Sequence, residues 1–289
     1  MKFSLVIGTL NRLEAIRSCL ESISKQTYSN YEVIIIDQSD NNETELYISM
    51  LNDKRIIYRH VAFKGLSKAR NEAIRIATGN YICLMDDDAY YDMHYLECAQ
   101  ERCSQKKILS GYIFDTVKKT DFAKYKRKTV IHSMTLRDVM RTCPSAGLII
   151  PMNLIEQCGC FDEKFGVGAQ YGAGEETDLL LRGIKQGFIV EYVPGLKLRH
   201  PVPVKENELY CEISAEKLAK YYEGIGALYK KHFYMGGMKE LKKCYLEIWI
   251  KFFIRRILVV KYNVGDTNRI IEGFRRGIKE YTSLESRSE

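Results

Sequence analysis

Several things are missing from this sequence. It has no Cys-x-x-Cys pair; the closest cysteines, Cys158 and Cys160, have one residue between them. A zinc ribbon or thioredoxin-like redox site is therefore not expected. No uncharged apolar stretch approaches the roughly 20 residues that an ordinary membrane-spanning helix needs. There is no internal repeat and no low-complexity tract, which excludes collagen-like or globally disordered chains. The apolar run Phe3–Ile7 after Met1-Lys2 is too short for a secretory core of about 7–15 residues. Nine cysteines, an odd and scattered set, suit a reducing compartment, so a cytoplasmic setting is expected. Cys19, Cys83 and Cys98 sit inside apolar patterns and read as small core residues.

Charge is also missing from most of the chain. The 289 residues carry +7 overall, yet residues 216–289 hold 16 basic and 9 acidic side chains, which leaves the first 215 neutral. A neutral body is unlike a nucleic-acid protein wrapped in positive charge. A basic tail suits an anionic partner such as phospholipid.

What is present is an alternation of strand and helix signals. Phe3–Ile7, Glu32–Asp37, Arg55–Arg59 and Tyr81–Asp86 read as strands, and the second is continuous and β-branched, as in a sheet covered on both faces. Leu13–Gln26, Glu43–Leu51 and Ser67–Ala77 read as helices, the last with Ser67 as its cap and Thr78-Gly79 as its stop. This predicts an α/β domain built on a parallel sheet with right-handed crossovers. Further on, Ile108–Asp115, Ala146–Pro151 and Phe188–Val193 read as strands, Glu175–Gln186 as a helix and Lys118–Lys128 as a basic mobile loop. From about residue 214 the pattern is helical. The expected division is a catalytic domain over 1–213, with halves of about 1–105 and 106–213, and a basic amphipathic extension over 214–289.

Open α/β sheets place their sites outside the carboxyl ends of the strands. Three polar clusters fall there: Thr9-Leu-Asn11-Arg12, Asp37-Gln-Ser39 and Asp86-Asp87-Asp88. Three adjacent carboxylates repel one another unless a cation neutralises them, and Mg²⁺ or Mn²⁺ prefers such oxygens. In an extended segment Asp86 and Asp88 share a face. Lys64–Asn71 opens a helix with basic side chains, an arrangement suited to phosphate. Gly172-Ala-Gly-Glu-Glu-Thr-Asp178 is a second acidic cluster at a helix start, where negative charge is favoured in any case. A carboxylate there beside a sugar hydroxyl can instead serve as general base. His200 and Pro144-Ser-Ala-Gly147, a candidate small-residue floor, complete the set.

In this order the clusters resemble glycosyltransferase family 2, whose catalytic domain has the GT-A fold. The matching pieces are Ser4–Arg12, Ile34–Ser39, Gly65–Asn71, Gly79–Asp88 and Gly174–Arg182, spread over about residues 3–200. The resemblance implies that Thr9 and Asp37 hold the nucleoside, with Asn11, Arg12, Arg70, Asp86 and Asp87 also on the nucleotide-sugar. It implies that Asp86 and Asp88 bind its diphosphate through Mn²⁺ or Mg²⁺, with His200 completing the metal site. Glu176 is then the base, with Glu175 its near alternative. The donor implied is a UDP-sugar, the acceptor a glycan or lipid-linked glycan, and the outcome inversion at the anomeric carbon. Gly8 stands where the family commonly has Pro, Gln38 where a second acid is frequent, and Glu176 where Asp is commoner. A sugar nucleotidyltransferase would want a Gly-rich basic loop after the first strand, which Gly8–Arg12 lacks. A non-catalytic glycan-binding scaffold would be expected to lose the acids that are present here.

In the extension, Glu247, Lys251 and Arg255 form a narrow polar stripe on the otherwise apolar segment Cys244–Val260. That pattern fits a helix lying at an anionic membrane surface with Trp249, Phe252 and Phe253 in lipid, or a helix packed on its own domain or in a homo-oligomer. Peripheral attachment to the cytoplasmic face is the expectation, with the extension separable from the donor site.

Overall fold

The computed structural model describes residues 1–116, 119–121, 129–200, 214–258 and 264–282. Most of the basic stretch Lys118–Lys128, together with Pro201, Val259 and Val260, lies outside them. In chain order the elements are β1 (Phe3–Thr9), α1 (Leu13–Ser24), β2 (Tyr31–Asp37), α2 (Glu43–Leu51), β3 (Ile56–His60), α3 (Leu66–Ile76), β4 (Tyr81–Asp86) and β5 (Tyr90–Tyr91). There follow α4 (Tyr95–Arg102), β6 (Lys107–Asp115), β7 (Thr120–Asp121), β8 (His132–Ser133), α5 (Leu136–Thr142), β9 (Leu148–Pro151), α6 (Met152–Cys158), α7 (Glu175–Lys185) and β10 (Ile189–His200). The C-terminal part holds α8 (Ala215–Tyr229), a π-helical turn over Lys230–Met235, α9 (Lys242–Leu258) and α10 (Val264–Glu280).

One sheet runs in the order β3-β2-β1-β4-β9-β6-β10-β5. The first four strands pair in parallel, as the strand–helix alternation predicts. The sheet is mixed rather than parallel throughout, because β9 runs antiparallel to both β4 and β6. Alternate residues of β1 go to opposite faces. Leu5 and Ile7 pack with Ile16, Cys19 and Leu20 of α1 and with Tyr95 of α4. Val6 packs with Ala69 and Ala73 of α3 and with Leu179 and Leu180 of α7. Both faces are thus covered, which is why Val33–Ile36 form an unbroken apolar run with no exposed position. Cys19 and Cys83 lie fully in this core, and Cys98 packs at its margin.

Two local expectations change. The cap of α3 is Gly65, at φ +131°, and Ser67 instead donates its hydroxyl to the Phe165 carbonyl at 2.6 Å. β10 is about twice the predicted strand, because a register shift between Val193 and Lys197 absorbs Pro194-Gly195 and lets pairing with β6 resume through His200.

The C-terminal helices pack on the α/β body. Leu181 of α7 joins Tyr222, Phe252 and Phe274 in one apolar cluster, with Leu136 and Met140 of α5 at its edge. α8 and α10 approach so closely that a Cβ on Gly277 would overlap the Glu223 carbonyl oxygen, and only glycine fits there. Phe252 is 1% exposed inside this cluster and is committed to the protein core rather than exposed on the surface as the sequence suggested, while Trp249 packs against it only partly buried. Among the described residues no helix is long and apolar enough to cross a membrane.

Candidate active site

The parallel register fixes the geometry. Thr9 pairs with Asp37, and Gly8 with Asp86, so three strands end level with one another. β10 ends beside them at His200. The three polar clusters and the histidine therefore share one edge of the sheet, where strand carboxyl ends form a cleft.

The first cluster organises the second. After β1 the chain turns at Asn11, which takes φ +54°, a conformation that Asn tolerates better than most residues. Its N–H donates to Ser39 Oγ at 2.8 Å, and its side-chain amide exchanges hydrogen bonds of 3.0 Å with the Asp40 carboxylate and backbone N–H. Asp37 is fully buried and accepts from the Ser39 N–H and the Tyr58 hydroxyl, both at 2.8 Å. The Asp37 carboxylate in turn helps hold the Tyr58 hydroxyl above its usual range, added to the effect of burial.

The three aspartates have three different environments. Asp87 is buried, accepts from Thr9 Oγ1 at 2.8 Å and pairs with Arg12 at 2.6 Å. Burial outweighs these partners and lifts it to about 6. Asp88 pairs with Arg12 at 2.5 Å and with His200 Nε2 at 3.1 Å, and against the opposing effect of burial it falls to about 2. Asp86 lies 3.5 Å from the same His200 nitrogen. Burial alone would lower His200, but the hydrogen bonds to Asp86 and Asp88 win and raise it to about 10. A protonated imidazole and the Arg12 guanidinium thus supply the positive charge that this triplet requires. No ready-made group of three or more His, Cys, Asp or Glu ligands occurs among the described residues. Yet the donor chemistry, two carboxylates and an imidazole that ligates once its proton is displaced, fits a divalent cation of the Mn²⁺ or Mg²⁺ type, which would take over the positive charge that His200 supplies here.

Arg70 connects this cluster to the second acidic one. It is 1% exposed, with one guanidinium nitrogen 3.2 Å from Asp86 and another 3.1 Å from Glu175, beside the Phe161 ring. Arg70 therefore lies beneath the site as a bridge between carboxylates. α7 begins after Gly174, which adopts φ +103°, and carries Glu175, Glu176 and Asp178 in its first turn. Asp178 is fully buried on the far side, held by Arg182, Lys231 and His232 at 2.7–2.9 Å, and these partners keep it far below the usual carboxylate range despite burial. Glu175 is tied to Arg70. Glu176 is pushed up to about 8 by burial and by the neighbouring Glu175. Of the two candidate bases, Glu175 is held by the Arg70 guanidinium, and Glu176 is the one with a proton affinity near neutrality.

The statistical description of "Glycosyl transferase family 2" matches residues 4–156, more than half of the chain. The chain belongs to glycosyl transferase family 2. Among curated relatives it is similar to the Escherichia coli UDP-Glc:alpha-D-GlcNAc-diphosphoundecaprenol beta-1,3-glucosyltransferase WfaP, at 36% identity over 102 residues. That match covers 32% of this chain and 41% of WfaP, so less than half of that relative's length is spanned. In fold it is similar to residues 1–349 of S. aureus TarS in complex with UDP-GlcNAc, with TM-score 0.60, 17% identity and coverage of 99% of this chain and 78% of that one. It is also similar to the mannosyltransferase PcManGT from Pyrobaculum calidifontis in complex with GDP-Man and Mn2+, with TM-score 0.57, 14% identity and coverage of 80% and 64%. These likenesses establish the α/β GT-A fold.

The family motifs do not reach every residue that shapes the site. Tyr58, which fixes Asp37, sits in a strand with no polar signal of its own. Arg12 was visible as a nucleotide contact, but not as the partner of two aspartates. Tyr221 of α8 lies half-exposed near the acidic turn, its hydroxyl raised by partial burial and by the charges of Glu176 and Glu175. The turn itself rests on α8: a Cβ on Gly224 would overlap the Ala173 carbonyl oxygen. Ala146 and Gly147 of the candidate floor lie under β4, with the Gly147 N–H donating to the Leu84 carbonyl at 3.0 Å.

Proposed function

We propose that this family-2 protein is an inverting glycosyltransferase. It moves a sugar from a UDP-sugar to a hydroxyl of a glycan or lipid-linked glycan, in surface polysaccharide assembly on the cytoplasmic face of a membrane. The observation that carries this reading is the arrangement of two acidic centres joined by the buried Arg70. One is gathered around His200, and the other presents a carboxylate of raised proton affinity. Thr9, Asn11, Arg12 and Asp37 frame the nucleotide side, with Asp37 fixed in place by Tyr58 and Ser39. Asp86, Asp88 and His200 are the residues that would hold a divalent cation. When bound, that cation supplies positive charge to the diphosphate leaving group. Glu176 accepts the proton of the acceptor hydroxyl as that oxygen attacks the anomeric carbon from the face opposite the diphosphate. Arg70 keeps the turn in place through Glu175, and its positive charge limits how far Glu176 is raised. The lipid-linked acceptor of WfaP, named in its description, supports a membrane location, and the basic C-terminal helices would rest on an anionic surface.

Release of UDP from a panel of UDP-sugars in the presence of Mn²⁺, with and without Glu176→Gln, tests the assignment. Glu176→Gln should lower turnover by about 10²-fold or more while UDP binding is kept. In the wild type kcat/KM should rise with pH through about 8, because the base must be deprotonated, and the variant should lose that limb. A near-normal Glu176→Gln beside an inactive Glu175→Gln would show that the other carboxylate is the base.

A further inference from the structure

The C-terminal helices present a surface that the proposed glycosyl transfer does not use. The inner side of α9 is spent on the protein core, through Phe252. Its outer side shows Leu246, Ile250, Phe253, Ile254 and Ile257, each 46–67% exposed. They recur at i, i+4, i+7, i+8 and i+11, which places them on one stripe of the helix. Soluble proteins seldom leave such a stripe bare unless something covers it. Beside it, α9 and α10 enclose a groove of about 660 Å³. Trp249, Ile250, Phe252 and Phe253 line it, and the exposed side chains of Arg256, Arg275 and Glu272 also border it. The Arg275 guanidinium lies 5.4 Å from the centre of the Trp249 ring. The volume is in the range of pockets that enclose small apolar ligands.

We propose that this groove takes one hydrocarbon chain of an anionic membrane lipid, with Arg256 and Arg275 on its phosphate. The proposal rests on the membrane placement given above and adds the site that makes the contact. Charge selects the occupant. α9 carries Lys242, Lys243, Lys251, Arg255 and Arg256 against a single acid, Glu247, and that acid is already paired with Arg137 at 3.0 Å and Arg141 at 3.5 Å. In a two-fold dimer the same surface meets itself, so this basic helix would face its own copy. A lipid phosphate meets it with the opposite sign. No described helix can span the bilayer, so the contact is interfacial, with the apolar stripe at the depth of the chains and the basic side chains at the headgroups.

Trp249 is the sole tryptophan of the chain and lines the groove, so its emission reports occupancy directly. The full-length protein would be mixed with phosphatidylcholine–phosphatidylglycerol vesicles whose lipid chains carry bromine, and with pure phosphatidylcholine vesicles. Monomeric dodecyl phosphate and inorganic phosphate would be titrated in parallel. The proposal expects Trp249 quenching by the anionic brominated vesicles, a saturable change with dodecyl phosphate and none with inorganic phosphate. Ile250→Glu, at an exposed position, and the double variant Arg256→Gln/Arg275→Gln should each weaken vesicle binding about tenfold or more with UDP binding unchanged. Cosedimentation with anionic vesicles without quenching would overturn the groove and leave the membrane placement standing. Absence of both would overturn the two together. Lipid-free self-association that buries Trp249 would assign the stripe to a second copy and refute the proposal.

Discussion

Replacing Arg70 by methionine should weaken both the fold and the reaction, and the structure sets the size of the effect. The guanidinium is 1% exposed and bridges Asp86 and Glu175 at 3.2 and 3.1 Å. Methionine fills a similar volume but leaves both carboxylates without that partner. Asp86 keeps His200 at 3.5 Å, so most of the loss falls on Glu175, whose side chain is 8% exposed. Removing one member of a buried charge pair typically costs about 3–5 kcal/mol. For a chain of this size that corresponds to a fall in melting temperature of roughly 6–20 °C. Arg70→Lys keeps the charge but can reach one carboxylate only, so it should fall between wild type and Arg70→Met. Two signatures separate this account from simple loss of packing. Acidification neutralises the stranded carboxylates, so the stability gap should narrow as pH falls. Arg70 also holds Glu176 down, so its removal should move the acid limb of kcat/KM to higher pH. Thermal melts from pH 5 to 8 and the pH profile of UDP release measure both. An Arg70→Met protein that melts within a degree or two of wild type, with an unshifted limb, would refute the bridge.

Other perturbations address separate parts of the chain. Asp88→Ala should remove most transferase activity without unfolding the protein, since Asp88 lies at the sheet edge, and metal-free wild type should be comparably inactive; full activity in excess chelator would sink the metal role. Glu32 is buried, accepts from Lys2, Ser4 and Thr78, and is held down to about 2. Its contribution, about 2 kcal/mol once the partial exposure of Lys2 is discounted, is present above the ordinary glutamate range and lost as pH falls through about 4 toward 2. Denaturant titrations across that window should show the slope in wild type and a flatter one in Glu32→Gln. Truncation to residues 1–214 should yield an unstable or aggregated protein, since it uncovers Leu181 and removes Lys231 and His232 from Asp178; a soluble fragment with intact UDP binding would show that the helices are dispensable for the donor site.

The parallel half of the fold was legible because its strands are continuous apolar runs that each end in polar residues. That pattern has one physical origin, a sheet covered on both faces with its cleft at the carboxyl ends. The triplet Asp86–Asp88 could be placed at that cleft for the same reason. What each aspartate does was not legible: adjacent residues of one type receive opposite proton affinities, about 6 for Asp87 and about 2 for Asp88, from burial and from Arg12 and His200. His200 arrives 112 residues later in sequence than Asp88 only because β10 continues past an irregularity at Pro194-Gly195 that reads as a strand end.

The C-terminal segment marks a different limit. Its amphipathic pattern states that α9 has an apolar side, but a pattern cannot say which apolar residues the rest of the protein claims first. Phe252 goes to the core with Tyr222 and Phe274, while Phe253, its neighbour, is 67% exposed. The choice is set by the α8–α10 approach, which only glycine at 277 permits, and the same α8 backbone passes Gly224 under Ala173. One helix therefore meets the C-terminal aromatic cluster through Tyr222 and the acidic turn through Gly224. The two contacts, at Tyr222 and Gly224, lie within a single turn of α8, so the packing of the C-terminal cluster and the seat of the acidic turn are set by the same stretch of helix.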